Sequence, residues 1–292
     1  MLDVEPYLPQ LRAALAEDVG PGDVTGELLV PADARANARI VAKAAGVLAG
    51  FEIAAAVFSC ALEDARAAAA ADGRETSWVD AYINMPDGTR LAPGDQVLKR
   101  SGNARALLRA ERTALNFLMQ LSGIATLTAR FVAAVDGTGA KILDTRKTTP
   151  GWRAFEKYAV TVGGGHNHRF ALFDEVLVKE NHLVFGADLK EALAARPPGM
   201  PAIVEAETLE EFHTAMAADC DVVLLDDFTP EEVTAARRAR GNAKRPLLEV
   251  SGGINLDNVR AYAEAGAERI SVGALTHSAP ALDLSCEITP VA

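Results

Sequence analysis

Lys141-Ile142-Leu143-Asp144-Thr145-Arg146-Lys147-Thr148-Thr149 sets a short apolar run directly before a cluster of charged and hydroxyl side chains. The same change of texture recurs along the rest of the chain. Val176-Leu177-Val178 precedes Lys179-Glu180-Asn181-His182, Ala202-Ile203-Val204 precedes Glu205-Ala206-Glu207, and Val222-Val223-Leu224-Leu225 precedes Asp226-Asp227. Leu247-Leu248-Glu249-Val250 leads into Ser251-Gly252-Gly253, and Arg269-Ile270-Ser271-Val272 into Gly273-Ala274. Amphipathic stretches lie between them, such as Leu209 to Ala218, Pro230 to Arg240 and Asn255 to Ala265. Strand, helix and strand in alternation predict βαβ units and a parallel sheet. The chemistry at the strand ends decides the form of that sheet. In a closed barrel the strand ends make one rim around one pocket, whereas an open sheet concentrates function at one switch point. Uniform polar loading favours the barrel. Six strands are legible, and a full (β/α)8 barrel needs eight, so an incomplete barrel is expected.

The first third has a different, α+β texture. Tyr7 to Val19 reads as a helix and Gly20-Pro21-Gly22-Asp23 as a turn. Ile40 to Leu48 reads as a strand broken by Gly46, and Ile53 to Ala70 as an alanine-rich helix. Trp78 to Ile83 and Gln96 to Arg100 are strand candidates beside the turns Pro86-Asp87-Gly88 and Pro93-Gly94-Asp95. From Ala104 to about Val135 the pattern predicts two helices, separated near Ser122-Gly123.

Composition bounds the function. The 292 residues are 49% hydrophobic, and 40 acids against 29 Lys and Arg give a net charge of −11. The apolar content excludes disorder, and the acidity argues against nucleic acid as a partner. The longest apolar stretch, Ile53 to Leu62, is short of the roughly 18 residues that span a bilayer, so no membrane is expected. Asp3 and Glu5 stand where a signal peptide needs a basic start. Cys60, Cys220 and Cys286 form no Cys-x-x-Cys pair and no zinc spacing. A soluble, cytoplasmic protein is expected.

The glycines after the two last strands, Ser251-Gly252-Gly253-Ile254 and Ser271-Val272-Gly273-Ala274, suit a phosphate. Backbone N–H groups can approach an anion there, and barrels often grip phosphate with their last loops. Tight turns alone would also use glycine; the pairing favours phosphate. His277, four residues after Gly273, is within reach of the same anion. Arg146 offers a planar fork and Lys147 a point charge for carboxylate or phosphate. Gly163-Gly164-Gly165-His166-Asn167-His168-Arg169 adds donors, and Lys179 should enter the pocket mouth. A lone lysine there could also be a Schiff-base nucleophile, as in an aldolase. Glu207 and Asp226 are candidates for ribose hydroxyls or Mg2+.

Leu143 to Gly151, Gly163 to Arg169, Val178 to His182 and Glu249 to Ile254 together resemble the quinolinate phosphoribosyltransferase family, and the resemblance runs over almost the whole chain. It implies an N-terminal α/β sandwich over residues 1–112, completed by the tail 281–292, and an incomplete seven-stranded α/β barrel over 113–280. It implies transfer of phosphoribosyl from phosphoribosyl pyrophosphate to quinolinate with decarboxylation, in NAD biosynthesis, with Mg2+ as cofactor. Carried over by residue, it makes Arg146, His168, Arg169 and Lys179 quinolinate-binding residues and sets Lys147 near both substrates. Glu207 and Asp226 become the carboxylates around ribose and Mg2+, and Lys147, Glu207 and Asp226 the catalytic set. Ser251, Gly252, Gly253, Gly273 and His277 become the phosphate loops. A homodimer is implied, with Arg112 donated across the interface. Glu180 and Asp227 depart from the family pattern, where Asp and Asn are expected. A related barrel phosphoribosyltransferase for another aromatic acid is the nearest alternative.

Overall fold

A computed structural model of the protein describes residues 2–73 and 85–291; the strand expected over Trp78 to Ile83 lies outside them. The chain forms two compact units, one of residues 1–126 with 280–292 and one of residues 127–279. The boundary expected at 112/113 falls inside a long helix, and the units divide further along that helix.

In the first unit, α1 (Leu8–Val19) buries Leu11 and Leu15, one turn apart. After the glycine turn, α2 (Val24–Leu29) begins where Asp23 Oδ1 accepts the Gly26 N–H at 2.9 Å, a side-chain cap on an otherwise unpaired donor. Strand β1 (Arg35–Ala42) alternates, burying Ala36, Ala38 and Ile40. A short ladder joins β2 (Gly46–Val47) to β3 (Arg90–Leu91). Helix α3 (Phe51–Ala71) buries Ala54, Val57, Phe58 and Ala61 at helical spacing. Its first N–H groups, from Gly50 and Phe51, are accepted by the Asp87 carboxylate at 2.9 and 3.0 Å. Strand β4 (Gln96–Asn103) pairs antiparallel with β1, whose other edge takes the C-terminal strand Leu284–Pro290.

Helix α4 (Ala104–Ala134) is one helix of 31 residues, not the expected two. Ser122-Gly123 does not break it. Ser122 Oγ accepts the Ala49 N–H at 3.0 Å and donates to Ala49 O at 3.2 Å. A Cβ at Gly123 would run into the Pro280 carbonyl, so glycine is there for close backbone approach and not for a turn. The helix is long and apolar enough to cross a membrane, but Leu107, Ala110, Ala114, Phe117, Leu118 and Leu121 form a buried stripe, as in a core helix.

The second unit holds β5 (Lys141–Leu143), α5 (Arg153–Val162), β6 (Val176–Val178), α6 (Glu180–Leu183), α7 (Leu189–Ala194) and β7 (Ala202–Ala206). It continues with α8 (Leu209–Met216), β8 (Val222–Asp226), α9 (Pro230–Arg240), β9 (Leu247–Ser251), α10 (Val259–Ala265), β10 (Arg269–Ser271) and α11 (Ala274–His277). Thr208 and Thr229 cap α8 and α9, Thr229 in a reciprocal box with Glu232. Helix α10 starts later than Asn255 because the Asn255 and Asn258 side chains bond the local backbone in a turn.

All six strands are parallel, in the order β5-β10-β9-β8-β7-β6. Chain order thus runs around a ring, with the last strand returning to the first. This is the incomplete α/β barrel. Of the seven strands expected, six form ladders among the described residues. The seventh place is held by one parallel bridge, Leu143 to His166, after the glycine run. Two residues on, the His168 N–H and C=O are taken by the side chains of Asp144 and Lys157, which stops a longer ladder.

Register fixes what faces the barrel interior. Leu177 pairs with Ile203 and Ile203 with Val222, and these pack with Leu247 into a floor layer. One step outward, Glu205 aligns with Leu224, Leu224 with Glu249, and Glu249 with Arg269. Lys179, Asp226, Ser251 and Gly273 continue the same parity to the rim.

Candidate active site

A cavity of about 560 Å³ opens at the C-terminal ends of these strands. Arg146, Lys147, His168, Arg169, Lys179, Asp226, Ser251, Gly252, Gly253, Gly273 and His277 all line it. Two expected residues do not. Arg112 is exposed on α4 in the first unit. Glu207 lies past the end of β7 and is exposed; Glu205, the last inward-facing position of that strand, lines the cavity instead. The strand's period of two marks both residues as inward, and only its end point separates them.

The cationic wall is crowded. Burial lowers the Arg169 pKa first, and the charge of Arg146 lowers it further. The Nε of Arg146 is buried without a hydrogen-bond partner. Two guanidiniums held together with a spare buried donor are a poor arrangement in isolation and a good one around carboxylates. Arg153, which sequence reasoning missed, ties the two loops. Its Nε donates to Thr148 Oγ1 at 3.0 Å, and its Nη1 to Phe170 O at 3.1 Å.

Behind this wall lies a buried network in which Asp144 belongs to the first rim motif and Lys157 to none. Asp144 and Lys157 are fully buried and ion-paired. Burial pushes Asp144 up to about 6 against the pull of Lys157, and burial likewise lowers Lys157. Asp144 Oδ1 also accepts the His168 N–H at 2.9 Å, and Lys157 Nζ donates to His168 O at 2.9 Å. Glu156, also fully buried, accepts the Thr149 N–H at 3.1 Å and props the loop after β5.

The opposite wall is acidic. Carboxylate oxygens of Glu205, Glu207 and Asp226 lie within 4.8 Å of one another. Lys179 Nζ is ion-paired with Glu205. Glu207 is held above the usual carboxylate range by the charge of Glu180 first, with Glu211, Glu205 and Asp226 adding to it. The Glu180 departure keeps the negative charge that the expected Asp would carry and changes only the reach of the side chain.

The glycine loops close the third side. Gly252 has φ +90°, and a Cβ there would meet the Asp227 carboxylate. Asp227 itself has φ +55°, a backbone setting that Asp and Asn tolerate best, which explains why Asp can stand where Asn was expected. Gly273 is overhung by the Lys147 stem and the His277 ring, each 3.1 Å from where a Cβ would sit. Thr276 Oγ1 donates to Lys147 O at 2.7 Å, joining the first loop of the barrel to the last.

Residues 23–122 match the N-terminal domain of quinolinate phosphoribosyl transferase, and residues 124–287 its C-terminal domain. The chain belongs to the quinolinate phosphoribosyl transferase family. The family's domain boundary falls at the same stretch of α4 where the compact units divide. The chain is 40% identical over 286 residues to the nicotinate-nucleotide pyrophosphorylase [carboxylating] of Mycobacterium leprae, covering 95% of each. It is 39% identical over 278 residues to a probable enzyme of the same name from Bacillus subtilis, covering 94% of this chain and 90% of the relative. The crystal structure of NadC from Streptococcus pyogenes superposes with a TM-score of 0.88 at 37% identity, over 100% of this chain and 99% of that one.

Proposed function

We infer that this protein transfers the phosphoribosyl group of phosphoribosyl pyrophosphate to quinolinate and releases pyrophosphate and CO2, giving nicotinate mononucleotide for NAD biosynthesis. The observation that carries this reading is the Arg146–Arg169 pair, with its buried unpartnered donor, in one cavity with two glycine loops. Quinolinate offers two carboxylates to the guanidiniums. Lys179 closes that end. Backbone N–H groups around Gly252, Gly253 and Gly273, with Ser251, His277 and Lys147, suit the phosphate groups.

Glu205 and Asp226 are the carboxylates best set to hold the ribose hydroxyls. Together with Glu207 they also fit Mg2+: all ligand atoms are hard oxygens, close together and mutually repelling. The ion, when bound, would neutralise charge on the departing pyrophosphate. Around it the protein's own residues orient the reactants. Arg146 and Arg169 hold the ring so that its nitrogen faces C1 of the ribose, where positive charge develops as pyrophosphate leaves. The nitrogen then carries positive charge, and the electron pair freed at C2 by loss of CO2 is stabilised beside it. Lys147, which lines the cavity, or water supplies the returning proton. Lys179 is a weaker Schiff-base candidate, because it is ion-paired with Glu205 and half-exposed, so it is not desolvated.

A homodimer belongs to the same proposal. Arg112 is exposed and remains for a partner's cavity. Val24, Leu28 and Leu29 of α2, and Leu172, Phe173, Val184 and Phe185 of the second unit, are between 72% and 87% exposed, which suits covering by a second copy. A cytoplasmic setting suits its three free cysteines.

The test is release of CO2 and pyrophosphate from quinolinate and phosphoribosyl pyrophosphate with Mg2+, beside a nicotinate control. Release from quinolinate alone is expected; absence of both products, or equal use of nicotinate, overturns the reading. Mixing inactive Arg112→Ala with inactive Lys179→Ala protein should restore activity if Arg112 acts across a dimer.

A further inference from the structure

His168 borders the cavity but is itself buried, and every polar group it has is already engaged. Its backbone N–H and C=O are taken by Asp144 and Lys157. Its Nδ1 accepts the Arg169 N–H at 2.7 Å, with Glu175 Oε2 at 3.4 Å, and its Nε2 lies 3.3 Å from Glu249 Oε1. The ring is a strut between the barrel interior and the peptide that carries Arg169.

Glu249 anchors the inner end of that strut. It is fully buried on β9, in the layer above the apolar floor. Arg269 Nε donates to its Oε2 at 2.6 Å and Ser271 Oγ to its Oε1 at 2.5 Å, so the carboxylate cannot rotate away. Burial works against its charge, but the hydrogen bond from His168, the charge of Arg269 and the hydrogen bond from Ser271 outweigh burial and hold its pKa below the ordinary value. An apolar side chain at this position would pack the barrel without the desolvation cost of a buried ion. The carboxylate is justified by what it holds. Arg169, at the outer end, has one further tether, Nη1 to Glu175 O at a long 3.4 Å. Its direction therefore depends on the peptide that His168 fixes.

We propose that Glu249 is a positioning residue for the aromatic acid. It holds the His168 imidazole from inside the barrel and, through Nδ1, orients the Arg169 peptide so that the guanidinium meets a substrate carboxylate beside Arg146. This rests on the assignment of Arg146 and Arg169 to the quinolinate carboxylates.

The experiment measures quinolinate Kd by calorimetry, with kcat and the KM of both substrates, on the intact enzyme. The variants are Glu249→Gln, Ser271→Ala, Arg169→Ala, and each of the first two combined with Arg169→Ala. Glu249→Gln should weaken quinolinate about 10- to 100-fold, by analogy with the scale seen when the carboxylate partner that orients a metal-binding histidine is removed. The KM for phosphoribosyl pyrophosphate should stay close to the parent value. Ser271→Ala should act in the same direction by about 2- to 10-fold, the worth of one hydrogen bond. Each double variant should bind quinolinate no worse than Arg169→Ala alone, because residues acting through one another are not additive. Equal weakening of both substrates, or full additivity with Arg169→Ala, overturns the proposal in favour of general loosening. If Arg169→Ala weakens quinolinate while Glu249→Gln and Ser271→Ala do not, Glu249 has no positioning role. If Arg169→Ala itself has no effect, the carboxylate assignment falls, and the proposal with it. Should Glu249→Gln not fold, Ser271→Ala alone and combined decides the same question.

Discussion

The two charged walls of the cavity solve opposite problems with the same device, and they differ in what stands behind them. Arg146 and Arg169 crowd like charge on one side, Glu205 and Asp226 on the other, with Glu207 beside them just outside the cavity. Each arrangement costs free energy until an ion of opposite sign arrives. The cationic wall is backed by buried, fully partnered groups: Asp144, Lys157, His168 and Glu249. The acidic wall ends in an exposed glutamate on a strand's outer end. A wall that must recognise a planar diacid needs rigid geometry. A wall that meets a hydrated cation and a flexible ribose does not.

The sharpest break of this contrast is on the cationic side. Arg146→Ala or Arg169→Ala should raise quinolinate KM by about 30-fold to several thousand-fold, the 2–5 kcal/mol lost when one member of a desolvated charge pair is removed. Steady-state kinetics checks it; a change under threefold would break the assignment. Next comes the backing. Lys157→Met leaves Asp144 buried without its ion-pair partner and should cost about 3–5 kcal/mol in denaturant unfolding. Asp144→Leu with Lys157→Met should recover most of that stability and still bind quinolinate poorly. The pair also has a pH signature. Because folded Asp144 titrates near 6 and an unfolded aspartate near 4, the native protein holds an extra proton between those values. Its contribution to stability is full at low pH and lost as pH rises to about 6. The parent should therefore lose stability relative to the double variant over that window.

On the acidic side the expected effects are smaller. Glu205→Gln or Asp226→Asn should raise the Mg2+ concentration for half-maximal activity about tenfold, a loss near 1.4 kcal/mol of ion binding. Glu207→Gln should change it least, under about threefold, since the group is exposed and past the strand. A Mg2+ titration of the three variants ranks them. If Glu207→Gln matched Asp226→Asn, the acidic wall would be as sharply defined as the cationic one, and the contrast would fail.

What could be read from the sequence divides along the same line. Alternation and loop chemistry announced the barrel and brought Arg146, Lys147, Lys179 and the glycine loops to one rim, because strand periodicity carries side-chain direction. The same reasoning selected Glu207 over Glu205, because a strand's end point is its least legible property. It split α4 at Ser122-Gly123, because glycine for close approach and glycine for a turn look alike without the Pro280 backbone beside it. Asp144 and Glu249 stand inside the quoted motifs and Lys157 in none, but what the three do stayed silent for a different reason. Their roles are contacts between residues far apart in the chain, 13 positions for Asp144 with Lys157 and many more for Glu249 with His168, made by tertiary packing. A lysine in a helix announces solvent, and only the fold shows Lys157 sealed beneath a rim loop.

The three-stranded sheet of the first unit carries a consequence for synthesis. Its central strand β1 is flanked by Leu284–Pro290, which leaves the ribosome roughly 250 residues later; at roughly 5–20 residues per second, that delay is on the order of 10–50 s. Through that interval β1 is an unguarded edge, rich in alanine, isoleucine and valine, of the kind that recruits other chains. The nascent protein thus carries an aggregation hazard in β1 whose remedy is made roughly 250 residues later. Shortening the tail would prolong that hazard into the finished molecule.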